Sequence, residues 1–397
     1  MRGLIDLLSR LLGRDPRSQK RGLGHPALTN NAEKGFWSTN LEGASQGRNN
    51  NLTLVRATLA SSVVLSHCWV ILDQFDREPW QRYVGFQEMG SLAVSAFFFL
   101  SGFLILKSGL NWASPVDFLR ARSLRIFPGL TVAVLFCMLV LGPIESSWRV
   151  RDYFTSHETW SYLWQVALHQ YSGRLPGVFA NSPRFQTVDQ PLWTLPYEWK
   201  MYMLMLVVCA IWHLYRGNQF DRKAWISIAL ALAFTMQMAH MTRYRWPIYF
   251  ILGSAAFLLR RYIRLNIWIA VIGIVAGILA LRVVPVLGSV LFPATLCYIL
   301  LVAAFHPKLL FRPYQKVGDY SYGIYIYGWP IQQCFIPFAH GNALRLFIVA
   351  FPVTLALAAL SWHLVEASAL QIGRPKHRDV TKEFAPEVMV VSVPRAS

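Results

Sequence analysis

The sequence predicts an all-α integral membrane protein that crosses the bilayer about ten times. Hydrophobic residues make up 54% of its 397 positions and charged residues only 15%, whereas a soluble chain carries nearer a quarter charged residues. Most apolar residues come in blocks of roughly 16–24, long enough for helices that span a hydrocarbon core of about 30 Å. The chain also has 15 Trp, 16 Tyr and 25 Phe, which suits aromatic belts at both membrane interfaces.

The apolar blocks and the residues that interrupt them place the individual spans. The predicted spans are 52–72, 91–106, 128–144, 192–215, 224–240, 247–259, 265–281, 285–305, 320–339 and 345–366. Prolines support several of these boundaries, because a proline costs little at the start of a helix. Pro128, Pro191, Pro247 and Pro285 lie at or just before predicted starts.

Three regions follow from this pattern: an amino-terminal tail over 1–50, a transmembrane domain over 51–370 and a carboxyl-terminal tail over 371–397. Residues 1–14 carry leucines at helical spacing with arginines between them, which fits a short helix on an anionic membrane surface. A disordered tail is the alternative. Residues 15–50 are rich in Gly, Asn and Ser, so we expect them to be unstructured.

The distribution of Lys and Arg predicts the orientation. With a cytoplasmic amino terminus, the inner segments hold 26 of the 38 basic residues and the outer segments hold 10. Both termini are therefore expected in the cytoplasm. The basic residues are dispersed between apolar blocks and form no basic groove, so the formal charge of +18 does not indicate nucleic-acid binding. The longest outer segment, 145–190, is rich in Trp and Tyr and predicts either an interfacial helix or a sugar-stacking platform.

Cysteine spacing gives no sign of a metal site or a disulfide framework. Each of the five cysteines lies alone inside an apolar block, and no pair has the spacing of metal ligands. We interpret them as small buried hydrophobic residues. The sequence therefore predicts no metal cofactor.

Two polar residues in the first span form the main functional hypothesis, because charged groups inside a bilayer are costly. Arg56 and His67 have ten residues between them, which puts both on one helix face about 16 Å apart along the axis. Arginine suits phosphates near the inner mouth, and a neutral imidazole deeper in can take a proton from a hydroxyl. The separation matches an acyl-coenzyme A threaded from the cytoplasm. The alternative is an arginine that reaches the headgroups and a histidine packed in the core.

Glu198 is the next candidate, in the fourth span. Counted from the outer side it lies roughly 9 Å deep, level with His67. A carboxylate at that depth can fix the tautomer of an imidazole and stabilise its protonated form. The alternative is an ion pair with Lys200 or Arg56, and the Lys200 pair is unfavourable because residues two apart do not face each other on a helix.

Three arginines cluster on the predicted inner side, just before Pro128. They are Arg120, Arg122 and Arg125. Such a cluster at a cytoplasmic mouth can hold the phosphates of a coenzyme. The alternative is an ordinary positively charged inner loop.

Several sequence segments occur in the order seen in a known family. They are Arg56 and His67 at their ten-residue spacing, FFFLSGFLI (97–105), RSLR (122–125) followed by IFP, LWTLPYEW (192–199), SYGIYIYGWP (321–330) and HLVEAS with Glu366. Over residues 52–366 the chain resembles the acyltransferase-3 family of bacterial membrane O-acyltransferases. One position departs from the pattern, since Gly328 stands where many members carry a histidine.

The resemblance implies an enzyme of the bacterial inner membrane, with many spans, that transfers an acyl group from acyl-coenzyme A. The donor would usually be acetyl-CoA. The acceptor would be a hydroxyl of an envelope or exported polysaccharide, such as lipopolysaccharide or exopolysaccharide. A transporter or flippase, or a non-catalytic subunit of a polysaccharide export system, is the alternative.

The roles expected on this interpretation are as follows. His67 acts as general base oriented by Glu198, and the coenzyme is held by Arg56, Arg122 and Arg125. The matching segments supply further candidates, which are Ser101, Tyr322, Tyr325 and Glu366.

Overall fold

The computed structural model describes residues 39–47, 49–112, 114–168, 173–183, 186–215 and 246–372. In this part of the chain nine helices have 13 residues or more. They are α1 (Leu52–Ile71), α2 (Met89–Leu110), α3 (Pro115–Phe136), α4 (Leu195–Tyr215), α5 (Trp246–Leu258), α6 (Ile267–Val283), α7 (Pro285–Phe305), α8 (Ser321–Cys334) and α9 (Ala343–Ser361). Helices α3 and α9 continue, each through a π-helical turn, to Glu145 and Ile372.

Five helices are long and apolar enough to cross a bilayer, namely α1, α2, α3, α7 and α9 with their extensions. Helices α5 and α6 are apolar but shorter. The predicted helical, membrane-type architecture is thus confirmed, while the count of ten spans and the orientation stay predictions. The predicted span 224–240, most of the amino-terminal tail and the carboxyl-terminal residues 373–397 lie outside the described residues.

The start of the third predicted span is wrong. Pro128 lies inside α3, which begins thirteen residues earlier at Pro115. The side chain of Ser114 caps this start, and Pro115 occupies the first turn, where its missing N–H is no loss. With its extension the helix has 31 residues, so it is about 46 Å long, about 16 Å more than the hydrocarbon core. Arg122 and Arg125 therefore lie on a helix instead of in a loop.

Two glycines bring α2 and α5 into close contact. A Cβ atom on Gly102 would overlap the carbonyl oxygen of Phe250, and one on Gly253 would overlap that of Phe99. Small residues at such crossings let helix backbones approach closely in membrane proteins. The glycine of the FFFLSGFLI segment therefore serves packing, while the preceding Ser101 faces a cavity described below.

Residues 39–44 form regular structure, although we expected 15–50 to be unstructured. Thr39–Asn40 pairs antiparallel with Arg264–Leu265, and the short helix Leu41–Ala44 follows. The side chain of Leu41 is fully buried in the core. This one apolar contact and the strand pairing explain why a Gly- and Asn-rich segment is held in place.

A carboxylate with two arginines fixes this segment to the loop after α5. Glu42 Oε1 lies 3.0 Å from Nε of Arg261 and 3.6 Å from Nη2 of Arg260. We call these three residues the Glu42 cluster. Next to it, the Lys107 Nζ donates to the carbonyl oxygen of Ser45 at 2.5 Å. The end of α2 therefore meets the amino-terminal segment.

Described parts of several segments predicted to be cytoplasmic lie at one end of the helix bundle. Asn51, before α1, donates to the carbonyl oxygen of Leu309 at 2.5 Å and accepts from the backbone N–H of Phe311 at 2.9 Å. The chain around 39–45 pairs with the loop around 264 at the same end. With the Lys107 contact, these bonds fit a common side for four segments. They are the amino-terminal segment, the end of α2, the loop before α6 and the loop before α8. The membrane face on which they lie stays a prediction.

Candidate active site

Two adjacent cavities lie where α1, α2, α3, α4 and α8 converge. Their volumes, counted as space for the centre of a water-sized sphere, are about 70 Å³ and about 220 Å³, which is room for several water molecules or part of a ligand. Four side chains line both cavities and form the wall between them. They are Arg56, Phe97, Ser101 and Arg125. Three of these four were predicted as site residues.

The first cavity receives polar groups from α4 and α8. The hydroxyls of Tyr325 and Thr194 lie 2.7 Å apart, and Tyr325 also donates to the carbonyl oxygen of Pro191 at 3.0 Å. These bonds fix the start of α4 against α8. Glu198 lines the same cavity and accepts a hydrogen bond from the hydroxyl of Tyr202, one helical turn further along α4. The first cavity therefore combines a carboxylate with several hydroxyls.

The second cavity is lined by a carboxylate that joins two helices through arginines. Oδ2 of Asp319, just before α8, lies 2.9 Å from Nη1 of Arg56 and 2.8 Å from Nη2 of Arg125. Its other oxygen accepts from the hydroxyl of Ser321 at 2.5 Å. Burial acts to raise the pKa of the Asp319 carboxyl, but Arg125 and Arg56 hold this pKa at about 2. We call Asp319, Arg56 and Arg125 the Asp319 cluster.

Arg125 also approaches a second carboxylate. Its Nη1 lies 3.9 Å from Oε2 of Glu366, a buried residue in the π-helical turn after α9. The hydroxyl of Ser361 donates to Oε1 of Glu366 at 3.0 Å. Tyr322 lines the first cavity and donates to the carbonyl oxygen of Ile126 at 2.9 Å, which ties α8 to α3. Both predicted candidates therefore lie close to Arg125. Glu366 approaches its guanidinium, and Tyr322 bonds to the backbone of the next residue, Ile126.

Arg122 differs from its two neighbours in the second cavity. Its guanidinium lies 5.8 Å from the ring centroid of Phe118. Within the described residues it forms no ion pair, and its buried Nε has no hydrogen-bond partner. In the same part of the chain, no three His, Cys, Asp or Glu side chains are grouped to hold a metal ion. The positive charge of Arg122 makes the second cavity suited to an anion.

His67 lies further along α1, away from both cavities. Its ring packs edge-on against Trp329 of α8, with centroids 5.0 Å apart. Among the described residues its imidazole forms no hydrogen bond, and it lines neither cavity. The predicted contact with Glu198 is not formed in the described part of the chain, because that carboxylate bonds to Tyr202 and shares its cavity with Arg56. Glu198 thus lines the same cavity as Arg56, which is eleven residues before His67 on α1.

Gly328 explains how α8 packs beside His67. A Cβ atom at this position would lie 2.5 Å from a methyl group of Val64 on α1. Any side chain there, including a histidine, would require Val64 to move. The departure from the family pattern at Gly328 is therefore accompanied by a close contact between α1 and α8.

Sequence reasoning missed two residues of the site, Asp319 and Tyr202. Tyr202 follows Glu198 by four residues, the spacing at which helix side chains meet, so the pattern could have shown it. Asp319 lies outside the predicted ninth span and carries no local signal for its partners, which come from two distant helices.

The family model of an acyltransferase domain, acyltransferase-3, matches residues 49–363. The chain belongs to the acyltransferase-3 family. It is therefore an acyltransferase, as the resemblance implied, and its membrane-type helices agree with that assignment.

Two curated relatives align with this chain over nearly their whole length. An O-acetyl transferase of Shigella phage Sf6 is 26% identical over 342 residues, which are 83% of this chain and 98% of that protein. Nodulation protein 10 of Rhizobium leguminosarum bv. viciae is 27% identical over 367 residues, which are 83% of this chain and 95% of that protein. No solved structure matches the chain significantly.

Proposed function

We propose that this enzyme is an O-acetyltransferase of the bacterial inner membrane. It takes the acetyl group of acetyl-CoA and attaches it to a hydroxyl of an envelope or exported polysaccharide. The observation that supports this most is the pair of adjacent cavities, one with three arginines and one with a carboxylate and hydroxyls. The name of the phage relative supports the acetyl group.

The donor occupies the second cavity in this proposal. Arg122, Arg125 and Arg56 face it and together hold the coenzyme, whose phosphates are anionic. This cavity is on the side of the bundle where the predicted cytoplasmic segments gather, since Arg122 lies in the first two turns of α3. A cytosolic donor would therefore enter here.

The transfer itself needs a base and a place for the hydroxyl. The hydroxyl oxygen attacks the thioester carbon, the carbon–sulfur bond breaks, and the proton of the hydroxyl passes through the base to the coenzyme thiolate. His67 is the proposed base, because its imidazole has no hydrogen-bond partner in the described residues and lies on the helix that carries Arg56. Glu198 is held by Tyr202 in the first cavity and does not contact His67 in the described part of the chain.

Mass spectrometry of glycans from a deletion strain and its complemented derivatives tests this function. We expect one glycan to lose a mass of one acetyl group in the deletion strain and to regain it with the wild-type gene. His67→Asn should restore little or none of the acetyl group at normal protein level, since general bases contribute about 10²–10⁴-fold. The matched control is His340→Asn, at an exposed histidine in the left-handed region that asparagine tolerates.

The same strains separate the alternatives. Normal export of a glycan that has lost its acetyl group would exclude a transporter or an export subunit. Lost export without any change in acetylation would instead contradict the proposed transferase.

A further inference from the structure

The Asp319 cluster assigns different tasks to the three arginines of the second cavity. Asp319 meets Arg56 of α1 and Arg125 of α3 at 2.9 Å and 2.8 Å. It is itself fixed to α8 by the hydroxyl and backbone N–H of Ser321, at 2.5 Å and 3.3 Å. One carboxylate thus sets the position of two guanidinium groups that come from separate helices.

The local charge balance differs among the arginines. Arg125 is shared between Asp319 and Glu366, and Arg56 is paired with Asp319. Arg122 has no carboxylate partner in the described residues, and its Nε is buried without a hydrogen bond. A partly buried guanidinium without a carboxylate partner becomes more favourable when an anionic ligand neutralises it. Arg122 is therefore the cation with the most to gain from an anion.

We infer that Asp319 is a positioning residue of the donor site, which holds Arg56 and Arg125 in the wall between the cavities and leaves Arg122 to bind a phosphate group of the donor. This inference rests on the proposed function. Each guanidinium has five N–H donors, and Arg56 and Arg125 line both cavities, so they can contact the donor near its reacting end. Asp319 acts on the donor only through them.

Coenzyme A binding and acetyl-CoA turnover by the purified full-length protein in lipid nanodiscs test the two assignments. Arg122→Ala should weaken coenzyme A binding about tenfold or more, because it removes charge-assisted hydrogen bonds to phosphate. Turnover at saturating acetyl-CoA should stay within about threefold of wild type. Arg122→Lys should recover part of the affinity, since it keeps the charge but loses the planar fork.

Asp319→Asn should show the opposite pattern. It keeps the size of the side chain and releases Arg56 and Arg125, so coenzyme A affinity should stay within about threefold while turnover falls about tenfold or more. Asp319→Glu keeps the charge, so coenzyme A affinity should again be nearly unchanged and turnover should fall less than in Asp319→Asn. It also serves as the second variant if Asp319→Asn does not fold.

Glu42→Gln is the matched control, because Glu42 also bridges two arginines but lines neither cavity. Its binding and turnover should equal those of wild type. Unchanged coenzyme A binding in Arg122→Ala would overturn the assignment of Arg122. Weakened binding with normal turnover in the Asp319 variants would overturn the positioning role. If the wild-type protein itself binds no coenzyme A, the proposed function fails first, and this result differs from both others.

Discussion

Two clusters in this molecule have the same chemistry and different surroundings. In the Asp319 cluster and in the Glu42 cluster, one carboxylate contacts two arginines. The Asp319 cluster joins three helices beside two cavities, and its carboxylate side chain is 15% exposed. The Glu42 cluster fixes the amino-terminal segment to a loop, and its carboxylate is 27% exposed.

The difference shows that an arginine–carboxylate contact has no fixed meaning in a membrane protein. Where the groups are exposed, solvent screens them and the contact contributes little to stability. Where they are buried beside a cavity, removing one partner leaves an uncompensated charge in a low-dielectric region. The same arrangement can therefore fix a tail in one place and prepare a binding site in another.

Removal of Arg125 should give the largest effect. Arg125→Met leaves Glu366 without its cationic partner and Asp319 with only one, so we expect the free energy of unfolding to fall by about 3–5 kcal/mol. Arg261→Met in the Glu42 cluster should cost about 1 kcal/mol or less. Thermal unfolding of both variants in the same detergent measures the difference. Equal losses would remove the distinction between the clusters.

The pH dependence of stability gives the next effect. The folded-state pKa of Asp319 is about 2, below its usual value of 3.8, so its contribution is fully present above the usual value. It is lost as the pH falls through about 2. We expect the stability difference between wild type and Asp319→Asn to be constant from about pH 8 to 5. It should then shrink by about 2–3 kcal/mol at lower pH. A difference that changes between pH 8 and 6 would point to another titrating group.

The smallest effect is expected at Glu42 in the amino-terminal segment. Glu42→Gln should lower the free energy of unfolding by about 0–1 kcal/mol, because the ion pairs are partly exposed to solvent. Leu41→Ala should cost more, about 2–5 kcal/mol, since it leaves a cavity at a fully buried position. Limited proteolysis around residue 39 checks both variants. Rapid cleavage of Glu42→Gln but not of Leu41→Ala would reverse the expected order.

Much of the fold followed from hydropathy. The apolar blocks predicted the membrane class, and many helix boundaries agree with the described helices, as in α1 and α7. The start of α3 did not follow, because a proline can lie inside a membrane helix when neighbouring groups satisfy the backbone. The ordered segment around Leu41 did not follow either, since its strand partner lies more than 200 residues away.

The sequence identified individual residues of the site but not the contacts between them. The cost of charge in a bilayer identified Arg56 and Glu198, and both line the first cavity. Their partners depend on how distant helices pack, so the sequence paired Glu198 with His67 where the structure bonds it to Tyr202. Asp319 was missed for the same reason. The catalytic role of His67 stays a prediction.

The central claim is that an acetyl group passes from acetyl-CoA to a glycan hydroxyl. The most direct measurement adds acetyl-CoA with a labelled acetyl group to membrane fragments of the complemented strain, in which both membrane faces are accessible. It follows the release of coenzyme A and the label that appears in the glycan. The account predicts one label in the glycan, as a base-labile ester, for each coenzyme A released. Membranes with His67→Asn should give neither. Unlabelled glycan in wild-type membranes that contain the protein, the donor and the unacetylated acceptor would contradict it.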